Sequence, residues 1–251
     1  MPKCEYTCKK IDSKNDYDLI IKCLIAGEEN VGKTSILYRL TDQEFVLNQT
    51  PTIGMDFGTI YSQLTSSMNN TYENSNTELD GPDNEMTVIK KEEKIIKVQI
   101  WDCAGQMRFR NIVQSYFRQA QIFLFVYDRS DINSFTYLSD WILSVDQHIG
   151  RGNYIGCIIA NKTDLPEQID SSIIEKFCET NNDFSYYTLS AKCDSEEEIL
   201  KPILECILKT YRKYVNGEIS IEKPYWKDST VNLEDDISET PECLPGQCKI
   251  L

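Results

Sequence analysis

The apolar positions of this chain fall into two patterns that alternate along its length. Continuous apolar runs at 19–25 (LIIKCLI), 122–128 (IFLFVYD) and 154–160 (YIGCIIA) predict strands buried on both faces. Less uniform stretches at 55–64 (MDFGTIYSQL), 94–101 (KIIKVQIW) and 186–192 (YYTLSAK) predict three more strands or strand ends. Between them, 33–45 (KTSILYRLTDQEF), 134–149 (SFTYLSDWILSVDQHI) and 169–181 (IDSSIIEKFCETN) carry apolar residues at helical spacing. A last helix is predicted from about Glu198 to Val215, with Pro202 tolerated near its first turn, where a missing N–H has no partner to lose. Strands alternating with helices connect by right-handed crossovers, so the expected fold is α/β: a doubly wound, mostly parallel six-stranded sheet with helices on both faces. Ligands of such sheets bind beyond the carboxyl ends of the strands.

Two stretches break the pattern. Residues 66–86 are polar, rich in asparagine and without apolar periodicity, which predicts a disordered insertion over about 66–92 between two strands. From 216 to 251 prolines and acids replace periodicity, which predicts a flexible acidic tail. The expected organisation is therefore an N-terminal extension (1–16), one domain (17–215) and that tail (216–251).

Composition narrows the function classes. At 41% hydrophobic residues the 251-residue chain can bury a substantial core. Lysine and arginine number 26 against 40 acids, a net charge of -14, and no local basic patch offsets it, so nucleic-acid binding is not expected. No apolar run approaches the roughly 18 residues of a membrane helix, and the start lacks the apolar core of a secretory signal. The expected location is cytosolic. The NNT at 69–71 is then a chance match to a glycosylation acceptor. Cys23, Cys103, Cys157, Cys178 and Cys206 fall inside predicted elements, where reduced thiols behave as small apolar groups. Cys4 and Cys8 form a CxxxC pair that has no second pair or histidine nearby to complete a metal site. His148, the single histidine, sits among polar residues and reads as a surface residue.

The candidate chemistry begins where the first run gives way to a helix. GEENVGKT (27–34) fits GxxxxGK[ST]: glycines let the backbone fold around phosphates, consecutive N–H groups point inward, and the helix N-terminus adds positive potential. Amides of Glu29, Asn30, Val31, Gly32, Lys33, Thr34 and Ser35 would line that cradle. Lys33 would neutralise the outer phosphates and Thr34 would ligate Mg²⁺. Alone, this motif leaves adenine and guanine equally open. DCAGQ, after a strand, places Asp102 where a carboxylate can hold the magnesium shell, Gly105 where an N–H can meet the terminal phosphate, and Gln106 where it could orient an attacking water. NKTD (161–164) ends another strand. Its Asp164 carboxylate can accept two hydrogen bonds from guanine, which adenine cannot supply, with Asn161 and Lys162 beside it. Ser190, Ala191 and Lys192 would complete the base pocket. Singly, NKTD is a polar loop, SAK says almost nothing, and WDCAG could be a capped strand end. Their order, each after a strand, points to one guanine-nucleotide site.

These residues carry a family resemblance. TIGMDF (52–57), WDCAGQMRFR (101–110), SYFRQAQIFLFVYD (115–128) and SFTYLSDW (134–141) resemble segments of the Ras superfamily, and most closely of its Rab branch, over roughly residues 17 to 215. The resemblance implies a P-loop small G domain that binds GTP and GDP with Mg²⁺ and hydrolyses GTP slowly, regulating vesicle or endomembrane traffic. It implies that Thr52 closes over the metal and the terminal phosphate, that Phe45 packs on the guanine ring, and that 106–117 forms a second switch. It implies that Phe57, Trp101 and Tyr116 form an aromatic triad read by effector proteins, with Ile53 beside it, although core packing is the plainer role for each ring. Its implied partners are effector proteins, an exchange factor, a GTPase-activating protein and a prenyl-binding carrier, and the implied state is a monomer.

The chain departs from that family at several points. Glu29 stands where a small residue usually faces the terminal phosphate and an incoming arginine; a carboxylate there repels phosphate and can capture the arginine, unless it turns to solvent. That departure keeps open a second class of function, a GTP-locked scaffold with negligible turnover. Met107 replaces the usual glutamate after the switch glutamine. The loop holding the insertion is much longer than the hairpin typical of Rabs, at little cost in closure entropy. The terminal CKIL resembles a CaaX box with leucine favouring geranylgeranyl at Cys248, although lysine occupies an aliphatic position. Cys243 could accept a second lipid, because one chain in an acidic tail anchors weakly. The expected location is then peripheral, on the cytosolic face of an endomembrane or the plasma membrane.

Overall fold

A computed structural model describes residues 4–14, 16–71, 87–181 and 183–224. Its strands are β1 (Cys4–Ile11), β2 (Leu19–Ala26), β3 (Met55–Thr71), β4 (Thr87–Cys103), β5 (Ile122–Asp128), β6 (Ile155–Asn161) and β7 (Ser185–Thr188). Its helices are α1 (Lys33–Leu40), α2 (Arg110–Ser115, preceded by a single 3₁₀ turn), α3 (Ile132–Thr136), α4 (Leu138–Ile149), α5 (Ser171–Thr180) and α6 (Glu196–Val215). Among the described residues the strands form one sheet in the order β1-β3-β4-β2-β5-β6-β7. β4, β2, β5, β6 and β7 run parallel, and β3 and β1 add antiparallel strands at one side.

The apolar runs explain why this sheet is buried on both faces. Along β2, Ile21, Cys23 and Ile25 point into a core under α1 and α6, whereas Leu24 and Ala26 point into the core under α4 and α5. β5 and β6 repeat the division: Leu124, Val126, Cys157 and Ile159 face one side, Phe123, Phe125, Tyr127 and Ile158 the other. A strand buried on both faces must be apolar at consecutive positions, and every residue of β5 and β6 is buried.

Several expectations change. The sheet has seven strands, because residues counted as an N-terminal extension form β1 along the edge of β3 from Cys4↔Met68 to Ile11↔Tyr61. On one strand, Cys4 and Cys8 stand about 13 Å apart along the chain, too far to share a metal ion. The expected insertion is shorter: the antiparallel ladder continues from Ser66↔Glu92 to Thr71↔Thr87, because backbone pairing rewards extension even without apolar alternation; 72–86 lie outside the described residues. The tail begins later than 216, since Ile221 is buried in the core and Glu222 bridges to Ile20.

The last helix also starts earlier than its apolar pattern suggests. Ser195 accepts from the Glu198 N–H while the Glu198 carboxylate accepts from the Ser195 N–H, a capping box that fixes the start at Glu196. Pro202 is therefore the seventh helical residue instead of a first-turn residue, and the Glu198 carbonyl receives no N–H from it. The helix expected over 134–149 is two, Ile132–Thr136 and Leu138–Ile149, separated by Tyr137, and the Asp131 side chain accepts from the Asn133 N–H to start the first of them before 134.

Candidate functional site

The loop after β2 turns where only glycine fits. Gly27 has φ 149°, and a Cβ there would stand 2.2 Å from the Val126 carbonyl oxygen of β5. Gly32 caps α1 with φ 94°, and a Cβ there would stand 2.3 Å from Asn161 Nδ2. The two glycines allow the loop to lie flat against the ends of β5 and β6. Asn30, with φ 63°, takes the left-handed region that asparagine tolerates. The Lys33 ammonium is buried and crosses the loop to donate to the Glu28 carbonyl at 2.5 Å. Burial lowers its pKa, against the opposing pull of Asp102, Cys103 and the two loop glutamates.

Thr34, Thr52 and Asp102 meet beside that loop. Thr34 Oγ1 donates to Asp102 Oδ2 at 2.5 Å, the Thr34 and Thr52 hydroxyls are 2.9 Å apart, and Thr52 Oγ1 donates to the same carboxylate oxygen at 3.3 Å. Asp102 is fully buried and its second oxygen, Oδ1, has no partner among the described residues. Burial pushes its carboxyl up to about 6, with Lys33, Thr34 and Thr52 pulling back. Two hydroxyls and a buried carboxylate with an unmatched oxygen are hard donors suited to Mg²⁺, so the residues fit the ion the sequence implies. Thr34, Thr52 and Asp102 would hold such an ion, and it would supply charge neutralisation to bound phosphates. Gly105 packs against the glycine loop so closely that a Cβ would lie 2.3 Å from the Glu29 nitrogen.

The base end is built by β6 and the turn after β7. Asn161 is buried, donates from Nδ2 to the Val31 carbonyl at 2.8 Å and accepts from the Ala191 N–H at 3.1 Å. One side chain thus joins the phosphate loop to the turn at the opposite end. Lys162 has φ 66° and pairs with Asp128 at 2.6 Å. Asp164 accepts from Ser190 Oγ at 2.6 Å, with the Lys192 ammonium 3.9 Å away. Asp164 lines a cleft of about 370 Å³, which Glu29, Lys33, Thr34, Phe45, Thr52, Gly105, Gln106, Asn161, Lys162, Ser190, Ala191 and Lys192 also line. Nearly all of the expected phosphate, metal and base residues therefore share one cavity; Asp102, which bonds the two threonines, and buried Val31 do not line it.

Phe57, Trp101 and Tyr116 lie outside the cleft as a continuous aromatic strip, with ring centroids 4.8 and 5.4 Å apart. Phe57 is 47% exposed and Ile53 81%, so core packing does not account for either. Lys22 places its ammonium 5.8 Å from the Trp101 ring and 5.9 Å from that of Tyr116. Cys243 and Cys248 lie outside the described residues.

Sequence reasoning missed several residues that hold the site. Glu28 Oε1 accepts from Arg110 at 2.8 Å and from the Trp141 indole at 3.0 Å, joining the glycine loop to α2 and α4. Arg39 donates to the Ala191 and Asp194 carbonyls, each at 2.8 Å, and so fixes the base turn from α1. Gln49 accepts from Ser35 at 3.3 Å. Motif spacing leaves such positions open, since any residue satisfies the x of GxxxxGK.

A parallel sheet with a glycine loop feeding α1, and a cleft across the strand ends, defines a P-loop nucleotide-binding G domain. A family model described as "Ras family" matches residues 61–210, and one described as "Ras of Complex, Roc, domain of DAPkinase" matches 22–80. The chain is 35% identical over 158 residues to "GTP-binding protein yptV2" of Volvox carteri, covering 63% of this chain and 60% of that protein. It is 36% identical over 155 residues to "Ras-related protein RABE1d" of Arabidopsis thaliana, covering 62% and 59%. It is 33% identical over 173 residues to "Ras-related protein Rab-1C" of Dictyostelium discoideum, covering 68% and 72%. The chain thus spans about three fifths of the length of the first two relatives. It belongs to the Ras family, with its likeness on the Rab side.

Proposed function

We propose that this chain is a guanine-nucleotide switch that binds GTP and GDP with Mg²⁺ and hydrolyses GTP slowly, with Gln106 orienting the attacking water. The observation that carries the reading is Asn161, whose amide ties the phosphate loop to the base turn across one cleft that holds Lys33 and Thr34 at one end and Asp164 and Ser190 at the other. Loss of the terminal phosphate would free Thr52, and with it the 43–54 loop, which is how such a site reports its nucleotide to partners. The aromatic strip and Ile53 are the proposed effector surface, and vesicle or endomembrane traffic is the proposed process, in keeping with the Rab-named relatives. Exchange factors, activating proteins and a prenyl-binding carrier are the proposed regulators of a monomer. Among the described residues no helix is long and apolar enough to cross a membrane. Peripheral membrane attachment through Cys248, aided by Cys243, is the corresponding proposal, and loss of membrane-fraction signal in Cys248→Ser tests it.

The division into a G domain ending near 215 and a tail is kept as a proposal, with its boundary moved past Ile221. The decisive experiment is to release and identify nucleotide from the purified protein, then to titrate GDP and ADP calorimetrically. Micromolar or tighter GDP uptake with no ADP uptake is expected; equal uptake of both removes the base assignment. A second reading, a GTP-locked scaffold, is favoured by Glu29, which lines the cleft beside Gly105 and Gln106. Single-turnover hydrolysis separates the two, since a scaffold stays loaded with GTP.

A further inference from the structure

The strand that precedes the G domain reaches the back of the nucleotide cleft. β1 is fixed to the β3 edge through its whole length, and two of its side chains continue onto neighbouring helices. Tyr6 packs edge-on against Tyr211 of α6 at 5.7 Å, with the Arg212 guanidinium over its ring. Lys10 extends its ammonium between two carboxylates, ion-pairing with Asp42 and, at 3.1 Å, with Glu196. Asp42 takes φ 61° just after α1 ends, where the chain turns into the loop that delivers Phe45 and Thr52 to the cleft. Glu196 is the first residue of α6, immediately after the base turn. Arg39, which holds that turn by two carbonyls, shares a second small cavity with Asp42, Glu44, Phe45 and Glu196. Phe45 lines both cavities, so the ion-pair cluster stands directly behind the residue expected to cover the base.

Resting on the guanine-nucleotide reading, we infer that Lys10 is a positioning residue for nucleotide residence: it clasps the hinge of the 43–54 loop to the start of α6 and thereby slows release of the bound base. The charges favour this role over a purely structural one. Lys10 is only 14% exposed, whereas Asp42 and Glu196 are 64% and 58% exposed, so its removal leaves two solvated carboxylates repelling across the hinge without opening the core. Partly solvated ion pairs are weak, so the clasp changes a rate and leaves the fold intact.

The test uses the full chain loaded with a fluorescent GDP, chased with excess unlabelled GDP at low salt. Lys10→Glu is expected to release about fivefold faster than wild type, with Lys10→Gln between them. Adding Glu196→Lys to Lys10→Glu should return the rate toward wild type, and the differences should shrink in roughly 1 M salt, where exposed charges are screened. A merely structural role would lower the melting temperature of Lys10→Glu and of Lys10→Gln while leaving release from folded protein unchanged. Wild-type release rates in both variants, or faster release with no rescue and no salt dependence, overturn the clasp alone. Wild-type protein that takes up no GDP overturns the nucleotide reading, and the clasp with it.

Discussion

Asn161 donates to the Val31 carbonyl at 2.8 Å from a position 1% exposed, and the same side chain accepts the Ala191 N–H. Its side chain thus bonds to both ends of the cleft. Asn161→Ala removes both bonds and leaves a buried carbonyl and a buried N–H unmatched. A loss of about 1–3 kcal/mol in unfolding stability is expected, together with weaker GDP binding, measured by thermal melting and calorimetry. Unchanged affinity in a folded variant would show that the loops hold their places without it.

Glu28 joins the glycine loop to Arg110 and Trp141, and Arg110 lies over the Trp141 ring at 5.0 Å. Glu28→Ala leaves a guanidinium and an indole N–H without their acceptor, at a cost of about 1–3 kcal/mol. Because Trp141 carries the contact, its fluorescence should also shift when GDP is exchanged for a non-hydrolysable GTP analogue. That shift should disappear in Glu28→Ala while nucleotide still binds.

Gly105 leaves no room for a methyl group, since a Cβ would lie 2.3 Å from the Glu29 nitrogen and 2.4 Å from the Glu28 carbonyl carbon. Both neighbours are backbone and cannot swing aside. Gly105→Ala should force the second switch away from the glycine loop, slowing hydrolysis at least tenfold in single-turnover assays while GDP affinity changes little, because GDP has no phosphate at this position.

Gln106 and Glu29 line the same end of the cleft. Gln106→Leu should slow single-turnover hydrolysis by about tenfold or more without changing the nucleotide bound. Glu29→Ser removes the carboxylate from the end of the cleft proposed for the terminal phosphate and should raise hydrolysis stimulated by an activating protein. Equal stimulated rates in Glu29→Ser and wild type would mean that the carboxylate stays turned to solvent.

Asp128 and Lys162 form a pair that can be read through pH. Burial would raise the Asp128 carboxyl, but hydrogen bonds from Lys162 and Ser130 outweigh it and hold the pKa below the ordinary value. A depressed carboxylate contributes stability that is present above the unfolded value, about 3.9, and is lost as pH falls through the folded one. The difference in melting temperature between wild type and Asp128→Asn should therefore hold steady from pH 8 to 5 and shrink below about pH 4. A difference that persists at pH 3 would assign the effect to packing.

Much of the fold was legible because strand and helix periods differ. β5 and β6 are apolar at consecutive positions, which only a doubly covered strand requires, and their expected and observed bounds nearly coincide. That the glycine loop, the Asp102 strand end and the 190–192 turn would meet at one cleft was legible, because each proposed chemical task restricts residue type at fixed spacing. β1 was not legible: CEYTCKKI offers little apolar content, and its place depends on an open β3 edge and on Tyr211, both far away in sequence. The start of α3 at Ile132 and the early start of α6 turned on caps, Asp131 and Ser195, that a periodicity reading passes over.

By itself the sequence determined the order of strands and helices and the residue types that a phosphate, a divalent ion and a guanine demand, since both are set by local period and by chemistry at fixed spacing. Only the tertiary structure decided that Asn161 bridges the two ends of the cleft, that Glu28 reaches Arg110 and Trp141, and that Lys10 stands behind Phe45. Those contacts join residues 30 to 186 positions apart. Chain spacing carries no information about pairs so distant; packing of the two helical layers on the twisted sheet brings them together.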